Sequence, residues 1–358
     1  MFDLHKDLND FYNDYVRLGN ERAILADHRD KNLERLKKGL DNLEFASCFS
    51  HMDQGSYAMY TINKQVNKDY DLDEAIIFTR DDLPSSALDT RLRIEKAMRE
   101  GGGNFSQPPQ ALTNAIRVYY TEGHHIDLAI YRKYENNYGE IIYEHAGSDW
   151  STRNPADLTN WFNDIVNQLS PSKDNGASVE NGQMRRVVRW IKKFAKSREN
   201  WNLPCGLVIS VLVSECYRSN YNRDDISLYD TLVAIRNRLI INEEVLNPVD
   251  INQTLTNRQK DKTRVHNFRE KLETAVENLQ ILHASTCTEE QARSAWYWFF
   301  QHEFWSTNDQ ARSFDEQGKS LATAALSGSI FVSPNGNIYT EKPIGKSLPV
   351  PKQNFYGE

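Results

Sequence analysis

Three aspartates in this 358-residue chain are spaced as a metal-dependent phosphoryl or nucleotidyl transfer requires. Asp71 and Asp73 open the run DLDEAIIF (71–78), whose apolar content marks a strand. Residues two apart on a strand share a face at about 6–7 Å, so both carboxylates can hold hard divalent cations roughly 4 Å apart. Asp127 lies in a second strand candidate, HHIDLAIY, with Ile126 and Leu128 on the opposite face. Upstream, in HMDQGSYAMYT, Gly55-Ser56 falls at a strand-to-helix turn whose N–H groups and hydroxyl suit a triphosphate. Three carboxylates around two ions can activate a ribose hydroxyl and stabilise leaving pyrophosphate. An isolated Asp-x-Asp is more often a surface turn, and Gly-Ser alone says less. Their order along one chain carries the reading.

Such acids need a sheet to hold them. AIRVYY (115–120), HIDLAIY (125–131) and EIIYEH (140–145) read as strands separated by turn signals. Residues 3–44 are helical in pattern, with Leu4, Leu8, Phe11, Tyr12 and Tyr15 and then Leu33, Leu36, Leu40 and Leu43 at helical spacing. Pro84-Ser85-Ser86 opens a helix that runs to about Arg99 and stops at Gly101, Gly102 and Gly103. Beyond residue 155 the pattern is helical only. Asn154 is placed to cap the first of these helices with Pro155 in its first turn. Further helices are expected near 183–199, 206–219, 226–241, 258–283 and 288–303. The expected class is α+β: a catalytic lobe with an N-terminal helix over 1–150, a helical lobe over 151–325, and an extended tail over 326–358.

Composition narrows the function classes. Charged residues make up 26% and apolar residues 39%, ordinary for a soluble protein. No apolar run approaches the roughly 20 residues that span a bilayer. The start, MFDLHKDLNDFYNDYV, carries acids where a secretory signal has a basic segment, and a cytoplasmic location is expected. Cys48, Cys205, Cys216 and Cys287 form no CxxC pair and read as ordinary thiols. A net charge of −7 disfavours a protein that wraps long nucleic acid.

The blocks QGSYAMYT, YDLDEA, HIDLAIY, WFNDIVNQ and MRRVVRWIKKFAKSRENWNLPCG, in that order, resemble the cGAS/DncV-like nucleotidyltransferases (CD-NTases) of bacterial CBASS anti-phage systems. The resemblance runs from about residue 45 to 215 and is nearest the branch of the bacterial cyclic GMP-AMP synthase. It implies a polymerase-β-type fold, a twisted mixed sheet with flanking helices against a helical lobe, the active site in the cleft. It implies a cyclic di-purine product made from ATP and GTP with two Mg²⁺ or Mn²⁺ ions. A cyclic trinucleotide or a 2′-linked ring is the near alternative. RNA tailing, protein AMPylation and a non-catalytic nucleotide binder are the alternatives from other classes. Asp71, Asp73 and Asp127 fall on the family's metal-binding acids. Gln54, Gly55, Ser56, Tyr57, Met59 and Thr61 form the donor-nucleotide block. Lys192 falls on a triphosphate lysine, Arg117 near an arginine that reads the acceptor base, and Arg153, Cys205 and Gly206 on further nucleotide contacts.

Three positions depart from that branch. Met59 stands where a tyrosine stacks on the donor base, Cys205 replaces a phosphate-touching serine, and Thr152-Arg153 replaces an Asn-Ser pair. An Arg153 guanidinium there would give a charge-assisted bond to phosphate.

Other features read more plainly. Arg185, Arg189, Lys192 and Lys196 recur along one side of a helix, the usual mark of a solvated face; Arg185 and Lys196 are expected on the surface. His124 and His125 point opposite ways on a strand, so they cannot both join Asp127 on zinc, and a turn or strand-edge role is expected. AWYWFFQHEFW (295–305) reads as core packing. Pro343, Pro349 and Pro351 prevent a continuous helix or a central strand near the C-terminus, and a disordered end is the default expectation. The resemblance implies that ubiquitin-type machinery conjugates some relatives through that end, and that a separate effector receives the diffusible product.

Overall fold

The computed structural model describes residues 1–65, 70–103, 105, 107–174 and 182–307, together with the backbone of three two-residue strands further on. The chain divides into two compact units, Asp3–Gln280 and Ile281–Glu358.

The first unit opens with α1 (His5–Phe11), a single π-helical turn (Tyr12–Val16) and α2 (Glu21–Asn42). Strand β1 (Ser50–Gln54) feeds the one-turn α3 (Gly55–Ala58), and β2 (Asp71–Thr79) follows. Helix α4 (Ala87–Glu100) starts where Ser86 caps it, its side chain accepting from the Asp89 N–H. Then come β3 (Gln110–Ala111), β4 (Ile116–Tyr119), β5 (His125–Glu135), β6 (Ile141–Ala146) and β7 (Trp150–Thr152). These seven strands form one mixed sheet in which β1-β2-β5-β4-β3 are neighbours in that order and β6 and β7 extend from β5. β2 and β5 are parallel, and the other pairs are antiparallel.

Period-two alternation gives this sheet two unlike faces. Leu72, Ile76 and Phe78 of β2 and Ile126, Leu128 and Ile130 of β5 are buried in one core with Leu36 and Leu40 of α2 and Ile94, Ala97 and Met98 of α4. The intervening residues, Asp71 and Asp73 of β2 and His125 and Asp127 of β5, occupy the other face. The helices beneath the sheet touch backbone to backbone. A Cβ at Gly39 of α2 would overlap the Ala97 carbonyl of α4, and one at Gly101 would overlap the Arg35 carbonyl.

Six of the remaining elements of this unit are α5 (Asp157–Leu169), α6 (Gln183–Ala195), α7 (Gly206–Cys216), α8 (Asp224–Ile241) and the hairpin strands β8 (Leu246–Asn247) and β9 (Asp250–Thr254); α9 (Gln259–Leu279) follows and packs on α8. The first helix after the sheet begins at Asp157, two residues later than Pro155. Asn154 instead shapes the preceding turn, its Oδ1 accepting from the Ala156 N–H at 3.0 Å. The second unit carries α10 (Glu289–Phe300), closed at its N-terminus by a Thr288–Gln291 capping box. Trp296, Phe299, Phe300 and Trp305 are buried against one another there, the packing expected of that run. Strands β10 (Phe331–Val332), β11 (Ile338–Tyr339) and β12 (Leu348–Pro349) pair as a small antiparallel sheet. The rest of the expected tail, its C-terminus included, lies outside the described residues. Among the described residues no helix is long and apolar enough to cross a membrane, and the four cysteines are free thiols.

Candidate active site

Strand register assembles the site. Gln54 pairs with Asp73, Asp73 with Asp127, and Asp127 with Arg117, so one rung crosses β1, β2, β5 and β4. One step along, Asp71 pairs with His125. The ligand atoms of Asp71, His125 and Asp127 lie within 4.8 Å of one another. Asp73 reaches sideways to the turn after β1, where a Cβ at Gly55 would overlap its Oδ2. Gly55 has φ +59°, in the left-handed region that favours glycine. Both facts call for glycine there.

Electrostatics tie the group together. Burial, reinforced by the charges of Asp71 and Asp127, pushes the Asp73 carboxyl up to about 7. Burial acts on Asp71 too, but its hydrogen bond with His125 and the nearby Arg117 and Lys196 outweigh it and hold the group below the usual range. His125 Nε2 stands 3.0 Å from Asp71 Oδ1, and this contact raises the imidazole above its ordinary value. Mutually repelling carboxylates on one face, converging to metal-ligand spacing, fit divalent cations.

The three aspartates, but not His125, line a cleft of about 1120 Å³, just above the roughly 300–1,000 Å³ of single-ligand pockets. Gln54, Gly55, Ser56, Met59, Thr61, Arg153, Lys192, Cys205 and Gly206 all line it with the three acids. Gln54 is anchored by donating to the Pro155 carbonyl at 2.9 Å. Lys192 of α6 donates to Thr61 Oγ1 at 2.9 Å, and burial together with the neighbouring Arg189 lowers its ammonium to about 7. A Cβ at Gly206 would come within 2.7 Å of Lys192 Cε and 2.9 Å of its Nζ, so the glycine leaves the lysine its channel.

Two residues of the expected set lie elsewhere. Tyr57 is buried in the core beneath the sheet, with the Arg22 guanidinium 3.8 Å from its ring centre. Arg117 is not among the cleft-lining residues; both sides of its guanidinium fork grip Asp127, Nε to Oδ1 at 2.8 Å and Nη2 to Oδ2 at 2.7 Å. The solvated face expected on α6 is mostly interior. Arg185 is buried, donating to the Met59 carbonyl and to Asn163 Oδ1, and Arg189 is buried with Tyr12 Oη accepting at 2.6 Å. Lys196 is exposed, as expected, and lines the cleft. The two histidines do face opposite ways: His124 stacks on His28 and Tyr120 below the sheet. His125, however, joins the acids rather than serving only as a strand edge.

Sequence reasoning missed Trp150, Trp201 and Arg264 at the cleft. The Trp150 indole donates to the Ser85 carbonyl at 2.7 Å, the Trp201 ring packs edge-on against Phe194, and Arg264 donates to Asn202 at 2.9 Å. No local motif marks them.

A mixed sheet with paired acids on one face, a glycine turn beside them and a helical wall carrying a lysine make up a polymerase-β-type nucleotidyltransferase fold. Residues 50–131 match the family model described as cyclic GMP-AMP synthase DncV-like, nucleotidyltransferase domain. The fold is shared with the Bradyrhizobium diazoefficiens CD-NTase CdnG in complex with GTP (TM-score 0.59, 16% identity, 81% of this chain and 94% of that one). It is shared also with Escherichia coli MS115-1 CdnC with ATP (0.59, 15%, 84% and 98%). A third is Vibrio cholerae DncV cyclic AMP-GMP synthase with the linear intermediate 5′ pppA(3′,5′)pG (0.64, 14%, 86% and 98%). Residues 50–131 are thus similar to a DncV-like nucleotidyltransferase domain, and the chain shares its fold with these CD-NTase structures.

Proposed function

We propose that the protein joins ATP and GTP into cyclic GMP-AMP as a signal in anti-phage defence. The reaction is attack of a ribose hydroxyl of one nucleotide on the α-phosphate of the other with loss of pyrophosphate, repeated to close the ring. The observation that carries this reading is that Asp71, Asp73 and Asp127, on neighbouring strands, all lie on the wall of one cleft of about 1120 Å³. That the Vibrio cholerae relative is described with a linear dinucleotide intermediate supports a site that re-engages its own first product.

The chain's residues divide the work. Asp71 and Asp127 would hold a divalent ion, with Asp73 supplying the remaining charge. Two such ions, when bound, would polarise the attacking hydroxyl and neutralise the departing pyrophosphate. The Gly55-Ser56 turn offers its backbone N–H groups and hydroxyl to phosphate, and Lys192 supplies a cation on the facing wall. Arg153 and Lys196, both exposed at the cleft, attract the anionic substrates. Trp150 and Trp201 place aromatic surface where bases would lie.

Incubation of purified protein with labelled nucleoside triphosphates, singly and in pairs, plus Mg²⁺ or Mn²⁺ and then phosphatase, tests this. A phosphatase-resistant small product requiring both ATP and GTP is expected, and Asp71→Ala with Asp73→Ala should abolish it. A resistant product of other bases or larger ring would correct the product. A ladder of lengthening strands, or label on protein, would overturn the cyclase reading.

A further inference from the structure

His125 is not one of the acids on which nucleotidyl transfer is built, yet it lies among them. It pairs with Asp71 across the parallel β2–β5 ladder and precedes Asp127 by two residues on the same strand. Both relationships place its ring on the acidic face. Its Nε2 stands 3.0 Å from Asp71 Oδ1, and on its other side the strand partner is Tyr119, whose ring centre lies 6.4 Å away. Asp71, His125 and Asp127 are the one group of three among the described residues whose ligand atoms gather closely enough for a shared ion. Asp73 is instead drawn against the Gly55 turn.

We infer that His125 is a nitrogen ligand to an ion held with Asp71 and Asp127, making this a mixed imidazole–carboxylate site that favours Mn²⁺ over Mg²⁺. The chemistry follows from the donors. Mg²⁺ demands oxygen ligands in near-ideal octahedral geometry and gives up water reluctantly. First-row transition ions accept imidazole readily, and their affinities rise along the series that begins with manganese. Exchanging one oxygen for one nitrogen shifts the balance toward them without altering the net charge that the two aspartates supply. The inference rests on reading these acids as the transfer centre, and it concerns which ion they take.

The test uses full-length protein stripped of metal with chelator and loaded with Mn²⁺ alone. Pulsed electron paramagnetic resonance should show nitrogen modulation from a coordinated imidazole, and His125→Gln should remove it. Calorimetric titration should show Mn²⁺ binding weakened about 10-fold or more in His125→Gln and His125→Ala alike, with Mg²⁺ binding changed less than about threefold. Glutamine can still donate to Asp71, so a residue that only positioned that carboxylate would leave His125→Gln close to wild type. That result, or wild-type Mn²⁺ spectra without nitrogen modulation, would overturn the inference. Because the spectra of the wild type decide, loss of folding in a variant does not obscure the outcome. A protein that shows the nitrogen signal but forms no cyclic product would sink the proposed activity and leave the ligand assignment standing.

Discussion

Arg117 and Asp127 face each other across antiparallel β4 and β5 and meet through two hydrogen bonds of 2.8 and 2.7 Å. The contact is bidentate and partly shielded, the side chains being 26% and 12% exposed. An ion entering among Asp71, Asp127 and His125 would share the charge this arginine now balances. Arg117→Gln is expected to lower the stability of metal-free protein by about 1–3 kcal/mol, and millimolar Mg²⁺ or Mn²⁺ should recover much of the loss. Thermal melts of both proteins with and without divalent ions check this. An equal deficit under both conditions would show that Arg117 serves the fold rather than the acid.

Lys192 gives the nucleotide-free protein a pH signature. Its folded value, about 7, lies below the 10.5 of an unperturbed lysine, so between these pH values the unfolded chain binds more protons. Stability from this group therefore rises with pH from about 7 toward 10.5, and the full penalty applies below 7. Lys192→Met should remove that dependence and stabilise the protein most at pH 6. Triphosphate binding needs the charged form, so wild-type affinity should weaken as pH climbs above 7, with proton uptake seen as a buffer-dependent calorimetric heat. In Lys192→Met, affinity should be about 10-fold lower or worse and flat with pH.

Gly206→Ala separates folding from binding. The added methyl meets the far end of Lys192 at 2.7–2.9 Å, and a flexible side chain can yield. The melting temperature should stay within a few degrees of wild type, about 1 kcal/mol in stability, while the KM for triphosphate rises. Gly55→Ala should fail on both counts, because its positive φ resists a side chain and its methyl displaces Asp73. Steady-state kinetics beside melts of the two variants would distinguish these outcomes.

Gly39→Ala tests the layer under the sheet. Its methyl would strike the Ala97 backbone, which cannot turn aside as a side chain does. Overpacking of about 1–3 kcal/mol is expected, read as a lower denaturant midpoint with an unchanged slope.

What could be read in the sequence was whatever strand periodicity encodes. Asp71, Asp73 and Asp127 alternate with Leu72, Ile126 and Leu128, and that local alternation fixed both the strand and the face. Gly55-Ser56 likewise stands at the strand-to-helix turn expected of it. The failures share a physical cause. Arg185 and Arg189 resembled a solvated stripe because helical spacing reports charge and not its partners, and their partners, the Met59 carbonyl and Tyr12, lie 126 and 177 residues away. Tyr57 belonged to a nucleotide-binding block, yet a one-turn helix points it into the core. Considering His125 only for a zinc site shared with His124 hid its parallel-strand neighbour Asp71, a relationship that exists only once β2 and β5 have paired. Trp150, Trp201 and Arg264 reach the cleft through packing that no short motif describes.

The rung of Gln54, Asp73, Asp127 and Arg117 spans four strands, and its outer members are separated by two others in space. A chain emerging from the ribosome therefore holds scattered acids with no reactive arrangement until β5 has been inserted beside β2. It lacks Lys192 and its glycine channel until Gly206 has been made, 71 residues beyond the end of β5 at Glu135. A fragment cut short between Glu135 and Lys192 keeps the acids but lacks the lysine that lines the cleft with them.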